Sequence, residues 1–137
     1  MADLAASKAS SPKVKDLATK VKAAQAPEIT TLSGLLSSWG EPVPEASGHN
    51  GSMAGMDHGD ASMMTSKQMD ELEGASGAEF DRMWVDMMIT HHEGAVAMSK
   101  SEISGGSNEK AKQLAQTIAD AQTKEIAELQ SLRTELS

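Results

Sequence analysis

Residues 82–98 read RMWVDMMITHHEGAVAM, and this stretch decides the fold because its apolar residues recur every three or four positions. That spacing is typical of one face of an α-helix. Ser76 with Glu79 forms a capping-box pattern before the stretch, and Gly105-Gly106 follows it. The sequence therefore predicts a helix from Ser76 to about Ile103. Its core-facing stripe consists of Phe80, Met83 or Trp84, Met87, His91, Ala95 and Met98.

Further helices are predicted on both sides of this stretch. Ser11-Pro12 begins one, because proline is favoured at the first helical position, and Gly40 ends it. Thr65 opens a short helix through a second capping-box pattern. One residue of the pair Ser107-Asn108 caps a last helix, which carries its own apolar stripe. The prediction is an all-α fold.

The chain also contains an internal repeat. A shift of 97 positions aligns residues 13–36 with residues 110–133, and ten aligned residues are identical. The identical pairs include Gln25/Gln122, Glu28/Glu125, Ile29/Ile126 and Leu32/Leu129. Two helical hairpins in a pseudo-symmetric arrangement would produce such a pattern.

The repeat predicts a missing first helix. At the same offset Met98 falls on Met1, so the counterparts of His91 and His92 would precede the chain, and we expect a fragment. Residues 1–40 would then hold the second helix of a first hairpin, 41–64 a loop, and 65–137 a second hairpin. The missing helix would leave an apolar groove, and such a groove favours a homodimer.

Composition excludes several classes of partner. The chain has 12 basic and 20 acidic residues, so its formal charge of −8 argues against nucleic acid and favours a cation. It lacks the run of about 20 apolar residues that a membrane span requires. Cysteine is absent, so neither a disulfide nor a thiolate metal site is possible.

Histidine and methionine are concentrated in one part of the chain. All four histidines and nine of the ten methionines lie between residues 49 and 98. On the main helix, Met87 precedes His91 by four residues and Met88 precedes His92 by four, which gives two imidazole/thioether pairs. Thioethers favour Cu(I), and imidazole also binds copper. The alternative is that Met87, Met98 and His91 only fill the core.

The loop before the main helix favours the copper interpretation. Residues 52–64 read SMAGMDHGDASMM, and no packing role requires so many soft or imidazole ligands in an irregular segment. The alternative is a flexible linker whose methionines have no role. The candidate ligands here are Met53, Met56, His58, Met63 and Met64.

Two glutamates interrupt apolar helix faces. Glu28 and Glu125 each lie one turn after a glutamine, Gln25 or Gln122, and each is a candidate partner for a facing histidine. A contact between Glu125 and His91 could orient a metal-binding ring. It could equally be a buried pair that fixes the packing of the helices without an ion.

The spacings do not fit familiar enzymes. A zinc-protease motif requires a histidine four residues after His92, where the chain has Val96. A di-iron bundle requires a glutamate three residues before each histidine, and those residues are Met88 and Ile89. We therefore expect a protein that is not an enzyme.

The stretch from Phe80 to Met98, together with residues 121–126 and residues 24–29, resembles the bacterial family of domain of unknown function 305. The resemblance implies a ferritin-like four-helix bundle, export to the periplasm or outside the cell, and an association with copper in some members. The leading hypothesis is an exported copper-binding protein that buffers or sequesters the ion or confers resistance to it. The alternative is a structural or interaction module in which His/Glu pairs serve helix packing.

Overall fold

The computed structural model describes residues 1–43 and 65–137, which form five α-helices. They are α1 (Ala2–Lys8), α2 (Pro12–Ser38), α3 (Ser66–Gly74), α4 (Gly77–Gly105) and α5 (Glu109–Glu135). Within these two ranges there is no strand, and the one isolated β-bridge joins Ala9 to Gly77. The all-α prediction is confirmed.

Most helix ends follow the local signals in the sequence, but Ser76, the N-cap of α4, makes no side-chain capping hydrogen bond, so the capping box predicted with Glu79 does not form. Ser11 is the N-cap of α2, and Gly40, just after that helix, has a φ of 74°, a conformation that glycine adopts without strain. Thr65 forms the predicted capping box at the start of α3. Asn108 Oδ1 accepts a hydrogen bond from the backbone N of Ala111 at 3.0 Å, so Asn108 is the residue that caps α5.

Helix α1 is an element that the sequence analysis did not predict. Seven residues are too few for a helix that is stable by itself. Tertiary contacts with α2 and α4 hold α1, and Ala5 is fully buried there. The indole Nε1 of Trp84 on α4 also donates a hydrogen bond to the carbonyl of Met1 at 3.2 Å.

The core lies where α1, α2 and the first half of α4 meet the last turns of α5. α4 and α5 form the most extensive helix pair, and they run antiparallel because only a short turn joins them. α2 also runs antiparallel to α5, since Lys20 lies 3.8 Å from Glu128 and Lys13 pairs with Glu135. The largest fully buried apolar side chains are Trp84, Phe80, Leu72, Leu129, Val14, Val21 and Val85.

Asp81 joins α4 to the turn between α1 and α2. Its side chain is almost fully buried and accepts hydrogen bonds from the backbone N of Ser10 at 3.1 Å and of Ser11 at 2.9 Å. The Ser10 hydroxyl donates to the same carboxylate. The N-cap side chain of α2 makes no capping hydrogen bond of its own. Asp81 therefore fixes the start of α2 against α4.

Some helix bounds are separated by the same 97 residues as the aligned sequence segments. α2 and α5 begin at residues 12 and 109, and α1 and α4 end at residues 8 and 105, so both offsets are 97. The two copies differ in how they are covered. Leu129 on α5 is 0% exposed, whereas its counterpart Leu32 on α2 is 47% exposed. The second half of α2 thus presents apolar side chains that nothing in the described chain covers.

Candidate functional site

His92, not His91, is the core-facing histidine of α4. His92 is fully buried, and its Nε2 lies 2.6 Å from Oε2 of Glu125 on α5. His91 is only partly buried and makes no contact of this kind. The expected pair between Glu125 and His91 is therefore wrong, and Glu125 pairs with His92 instead.

The width of the buried face of α4 explains the difference. α1, α3 and α5 all pack against α4, so its buried arc is broader than a single stripe. A step of four residues turns about 40° around the helix, so the series Phe80, Trp84, Met88 and His92 crosses this broad arc, whereas a strict spacing of 3.6 residues stays on one narrow stripe. The repeated step of four was the available signal for His92. The buried residues of α4 are Phe80, Asp81, Trp84, Val85, Met88, Ile89, His92, Gly94 and Ser99.

The contact with Glu125 determines which nitrogen of His92 is free. A carboxylate can only accept a hydrogen bond, so the Nε2 that faces it carries the hydrogen and donates it. In the neutral ring Nδ1 then keeps its lone pair, and this atom is buried without a hydrogen-bond partner. Metal-binding histidines commonly have this arrangement, with one nitrogen held by a carboxylate and the other available to an ion.

His91 lines a cavity of about 290 Å³ between α2, α4 and α5. Gln25 and Glu28 of α2 and Gln122 of α5 form its polar side. Two polar atoms at this place are buried without a partner, Nδ1 of His91 and Oε1 of Gln122. Unsatisfied buried polar atoms are rare in folded proteins, so they point to a place where a ligand can bind. The other lining residues are Ile29, Leu32, Ala95, Met98, Ser99 and Ile118.

The electrostatics of this cavity favour a cation and a neutral imidazole. Burial and, second, the negative charge of Glu125 raise the pKa of Glu28 above its usual value, while His92 opposes the shift. Burial and the neighbouring His92 lower the pKa of His91. A lowered pKa keeps the His91 ring neutral over a wider pH range, and the neutral ring is the form that binds a metal.

The three methionines of α4 that were predicted as ligands fall into two groups. Met88 is 3% exposed within the hydrophobic core, and Met87 is partly buried against that core. Met98 is 50% exposed and lines the same cavity as His91. Met98 is thus the accessible thioether of the predicted helix ligands, while Met88 has a packing role.

The described residues do not complete a metal site by themselves. Residues 1–43 and 65–137 contain no group of three His, Asp or Glu side chains placed to hold an ion. The predicted ligands Met53, Met56, His58, Met63 and Met64 lie outside the described residues. The fit to copper therefore depends on the donor types at the cavity, where an imidazole nitrogen and a thioether are both present.

An apolar groove of about 700 Å³ adjoins the cavity and shares Leu32, Met98, Ser99 and Ile118 with it. The groove runs toward Trp39 at the end of α2 and toward Leu114 on α5. Ile29, Leu32, Trp39 and Met98, four of the most exposed large apolar side chains in the described ranges, line the groove or the cavity. Exposed apolar surface of this kind usually marks an interaction site. No helix in those ranges has the length and apolarity to cross a membrane.

Comparison with known proteins identifies one sequence family, and the similar solved structures include two proteins described by the name of that family. The sequence model of the family described as domain of unknown function DUF305 matches residues 1–133. A crystal structure from Streptomyces coelicolor, described as a candidate secreted DUF305 protein, has a TM-score of 0.81 and 24% identity. The match covers 98% of this chain and 82% of that one.

A second crystal structure, of a DUF305 fragment from Deinococcus radiodurans, has a TM-score of 0.81 and 21% identity. That match covers 98% of this chain and 83% of the other. At these identities the likeness concerns the fold. No curated protein sequence matches the chain.

Proposed function

The chain belongs to the DUF305 family of unknown function, and from its own residues we propose that it is an exported protein that binds copper. Its role would be to buffer or sequester the ion or to confer resistance to it. Binding rather than catalysis is the proposed activity. One observation carries the proposal: an imidazole with an unpartnered buried nitrogen, His91, shares a cavity with the exposed thioether of Met98.

Three further features support copper. Methionine and histidine are concentrated between residues 49 and 98, a range that includes both the loop sequence and most of α4. Thioether and imidazole together suit Cu(I) better than they suit Mg²⁺ or Ca²⁺, which prefer oxygen ligands. The negative net charge favours a positive ion near the site, and so does the repulsion between Glu28 and Glu125, which is the second cause of the raised pKa of Glu28.

Export to the periplasm or outside the cell is part of the proposal. The Streptomyces coelicolor relative is described as a candidate secreted protein, and this chain has no cysteine. Methionine binds Cu(I) without the disulfide formation that thiols undergo in oxidising compartments.

Titration with Cu(I) under reducing conditions, against a coloured chelator of known affinity, tests the proposal. We expect the intact chain to take copper from the chelator. We expect weaker binding when His91→Gln and His92→Gln are combined with replacement of the predicted loop ligands (Met53, Met56, Met63 and Met64 to Leu, and His58 to Gln). Met69→Leu, which removes a thioether from α3 away from the cavity, is the matched control and should bind normally. An intact chain that binds no better than the combined variant would refute copper binding.

A second candidate function, an interaction module, is favoured by the buried contact between His92 and Glu125. This contact joins α4 to α5 and needs no ion to stabilise the packing of the two helices. The working surface would then be the apolar groove, with a second copy of the chain as one occupant. This candidate predicts that copper leaves the melting temperature of the protein unchanged. A copper-dependent rise that disappears in His91→Gln would contradict it.

A further inference from the structure

We propose that the copper ion is held between two copies of the chain, with His91 of one copy and Met98 of the other as its ligands. The inference rests on the proposed copper binding. It addresses the spacing of the two donors at the cavity, because the one imidazole and the one accessible thioether that the described residues offer there lie apart along a single helix.

The positions of His91 and Met98 on α4 are poorly suited to one ion within one copy. They are seven residues apart, which corresponds to about 10 Å along a helix axis. Metal bonds to nitrogen or sulfur are only about 2 Å long, so both side chains would have to stretch along the helix to meet. The two residues lie on the same face, however, and both line the open cavity.

A two-fold axis removes this difficulty. In a symmetric dimer, if residue i contacts residue j, then j contacts i by the same operation. An axis that passes near Ala95, midway between His91 and Met98, places His91 of one copy opposite the partner's Met98, and the reverse pair forms at the same time. Ala95 has a small side chain that lines the cavity, so two antiparallel α4 helices can approach closely there.

The apolar side chains around the cavity suit a second copy as the occupant. Ile29 is 50% exposed and Leu32 is 47% exposed, although on α5 their counterpart Ile126 is partly buried and their counterpart Leu129 is fully buried. A dimer that brings the α4 helices together would also cover this part of α2.

The charge distribution favours a second copy of the chain over a strongly basic or acidic partner. The segment from Ala23 to Gly40 contains a single charged residue, Glu28, in a chain that has 32 charged residues in total. A symmetric contact brings identical charges together, so a face with few charges avoids self-repulsion. A basic or acidic partner would gain little from such a face.

Complementation between two defective chains tests the inference. The background is the full chain with the predicted loop ligands replaced (Met53, Met56, Met63 and Met64 to Leu, and His58 to Gln), so that the loop no longer offers these ligands while His91 and Met98 remain. We compare four samples: the background chain without further change, called the parent; its His91→Gln variant; its Met98→Leu variant; and an equimolar mixture of these two variants. Copper per chain is measured by competition with a chelator, and molecular mass by sedimentation velocity with and without Cu(I).

We expect the parent to form a copper-dependent dimer and each single variant to lose both copper and the dimer. A dimer of one variant with the other keeps one complete pair of ligands, so the mixture should recover about half the copper per chain of the parent. Met69→Leu should behave as the parent. Circular dichroism checks that the variants stay folded, which we expect because Met98 is exposed and His91 is only partly buried.

The other outcomes separate this inference from the proposed function. If a monomer of the parent binds copper and the mixture recovers nothing, both ligands come from one copy, which overturns the inference and leaves copper binding intact. If only the chain with its natural loop binds copper, the interhelical site is refuted while the proposed function stands. If the natural chain does not bind copper, both are refuted.

Discussion

His92 is held on one side only. Its ring is fully buried, with Nε2 hydrogen-bonded to Glu125 and Nδ1 without a partner. A buried polar group that loses its hydrogen-bond partner costs more than the bond itself contributes, because the group has also lost its contact with water. His92 therefore contributes to the stability of the fold mainly through its hydrogen bond to Glu125.

Replacement of His92 by alanine should destabilise the protein by about 3 kcal/mol, since the change leaves a cavity and removes the hydrogen-bond partner of Glu125. His91→Ala should cost much less, because His91 is partly exposed and its Nδ1 has no hydrogen bond to lose. Urea unfolding of both variants measures the difference. Equal losses for the two histidines would contradict the assignment of His92 to the core.

Glu28 should reduce stability at neutral pH. The pKa of Glu28 is raised by burial and by Glu125, so the folded state binds the proton of this carboxyl group more tightly than the unfolded chain does. The resulting stabilisation is present below the unfolded pKa of 4.5 and is lost as the pH rises through the folded pKa. Glu28→Gln should therefore raise the melting temperature at pH 7, with a gain that shrinks as the pH approaches 4.5.

Glu128→Gln provides the matched control for this pH effect. Glu128 is an exposed carboxylate on α5 that lies 3.8 Å from Lys20. Because its charge has a partner and no burial to oppose it, the substitution should leave the melting temperature nearly unchanged at both pH values. A gain for Glu28→Gln that is independent of pH would rule out the proposed cause.

The sequence predicts the residues of the site better than it predicts their contacts. Gln25, Glu28 and Gln122 do line one cavity with His91, as their positions in the repeat suggest. The predicted partner of Glu125 was wrong because His91 and His92, as adjacent residues on a helix, point about 100° apart. Which of the two faces Glu125 depends on where the neighbouring helices lie. Those positions are set by tertiary packing, which a single helix pattern does not contain.

At the scale of the elements, Asp81 has the most specific role. One buried carboxylate accepts two backbone N–H groups and a hydroxyl at the start of α2. No capping signal within residues 9–12 predicts this, because the carboxylate comes from a helix about 70 residues later. The capping of α3 and α5 was predictable since the capping residue and the backbone it caps are three residues apart.

Asp81→Asn should destabilise the protein by about 2 kcal/mol. The amide nitrogen of the new side chain would face the hydrogen-bond donors of Ser10 and Ser11, and the hydrogen bonds that remain would no longer have a charged acceptor. Hydrogen exchange should show faster opening of the first turn of α2 and of α1. The control is Asp86→Asn, since Asp86 is an exposed residue of the same helix whose partner is Arg133 at 2.7 Å. Similar exchange in both variants would contradict the proposed role of Asp81.

At the scale of the whole molecule, the two halves of the repeat are unequally covered. Leu129 is completely buried and Leu32 is about half exposed, although both occupy the same position in the repeated sequence. The sequence alone predicts two equivalent helices. It does not show which neighbours each helix has, and that difference decides how much apolar surface stays open.

Leu129→Ala should therefore cost about 3 kcal/mol, whereas Leu32→Ala should cost less than about 1 kcal/mol in dilute protein. Urea unfolding at two protein concentrations measures both. If a second copy covers α2, the cost of Leu32→Ala should increase at the higher concentration, because the dimer then contributes to stability. A large cost that does not depend on concentration would mean that Leu32 is covered within one chain.

The two tryptophans allow the core and the groove to be monitored by fluorescence. Trp84 is 0% exposed in the core and Trp39 is 47% exposed beside the groove, and the chain has no tyrosine. Its ultraviolet emission is therefore the sum of a buried indole and a solvated indole, and a dissolved quencher such as iodide would reach mainly the second. With Trp39→Phe as the reference, a single fluorescence experiment can follow occupancy of the groove and integrity of the core separately.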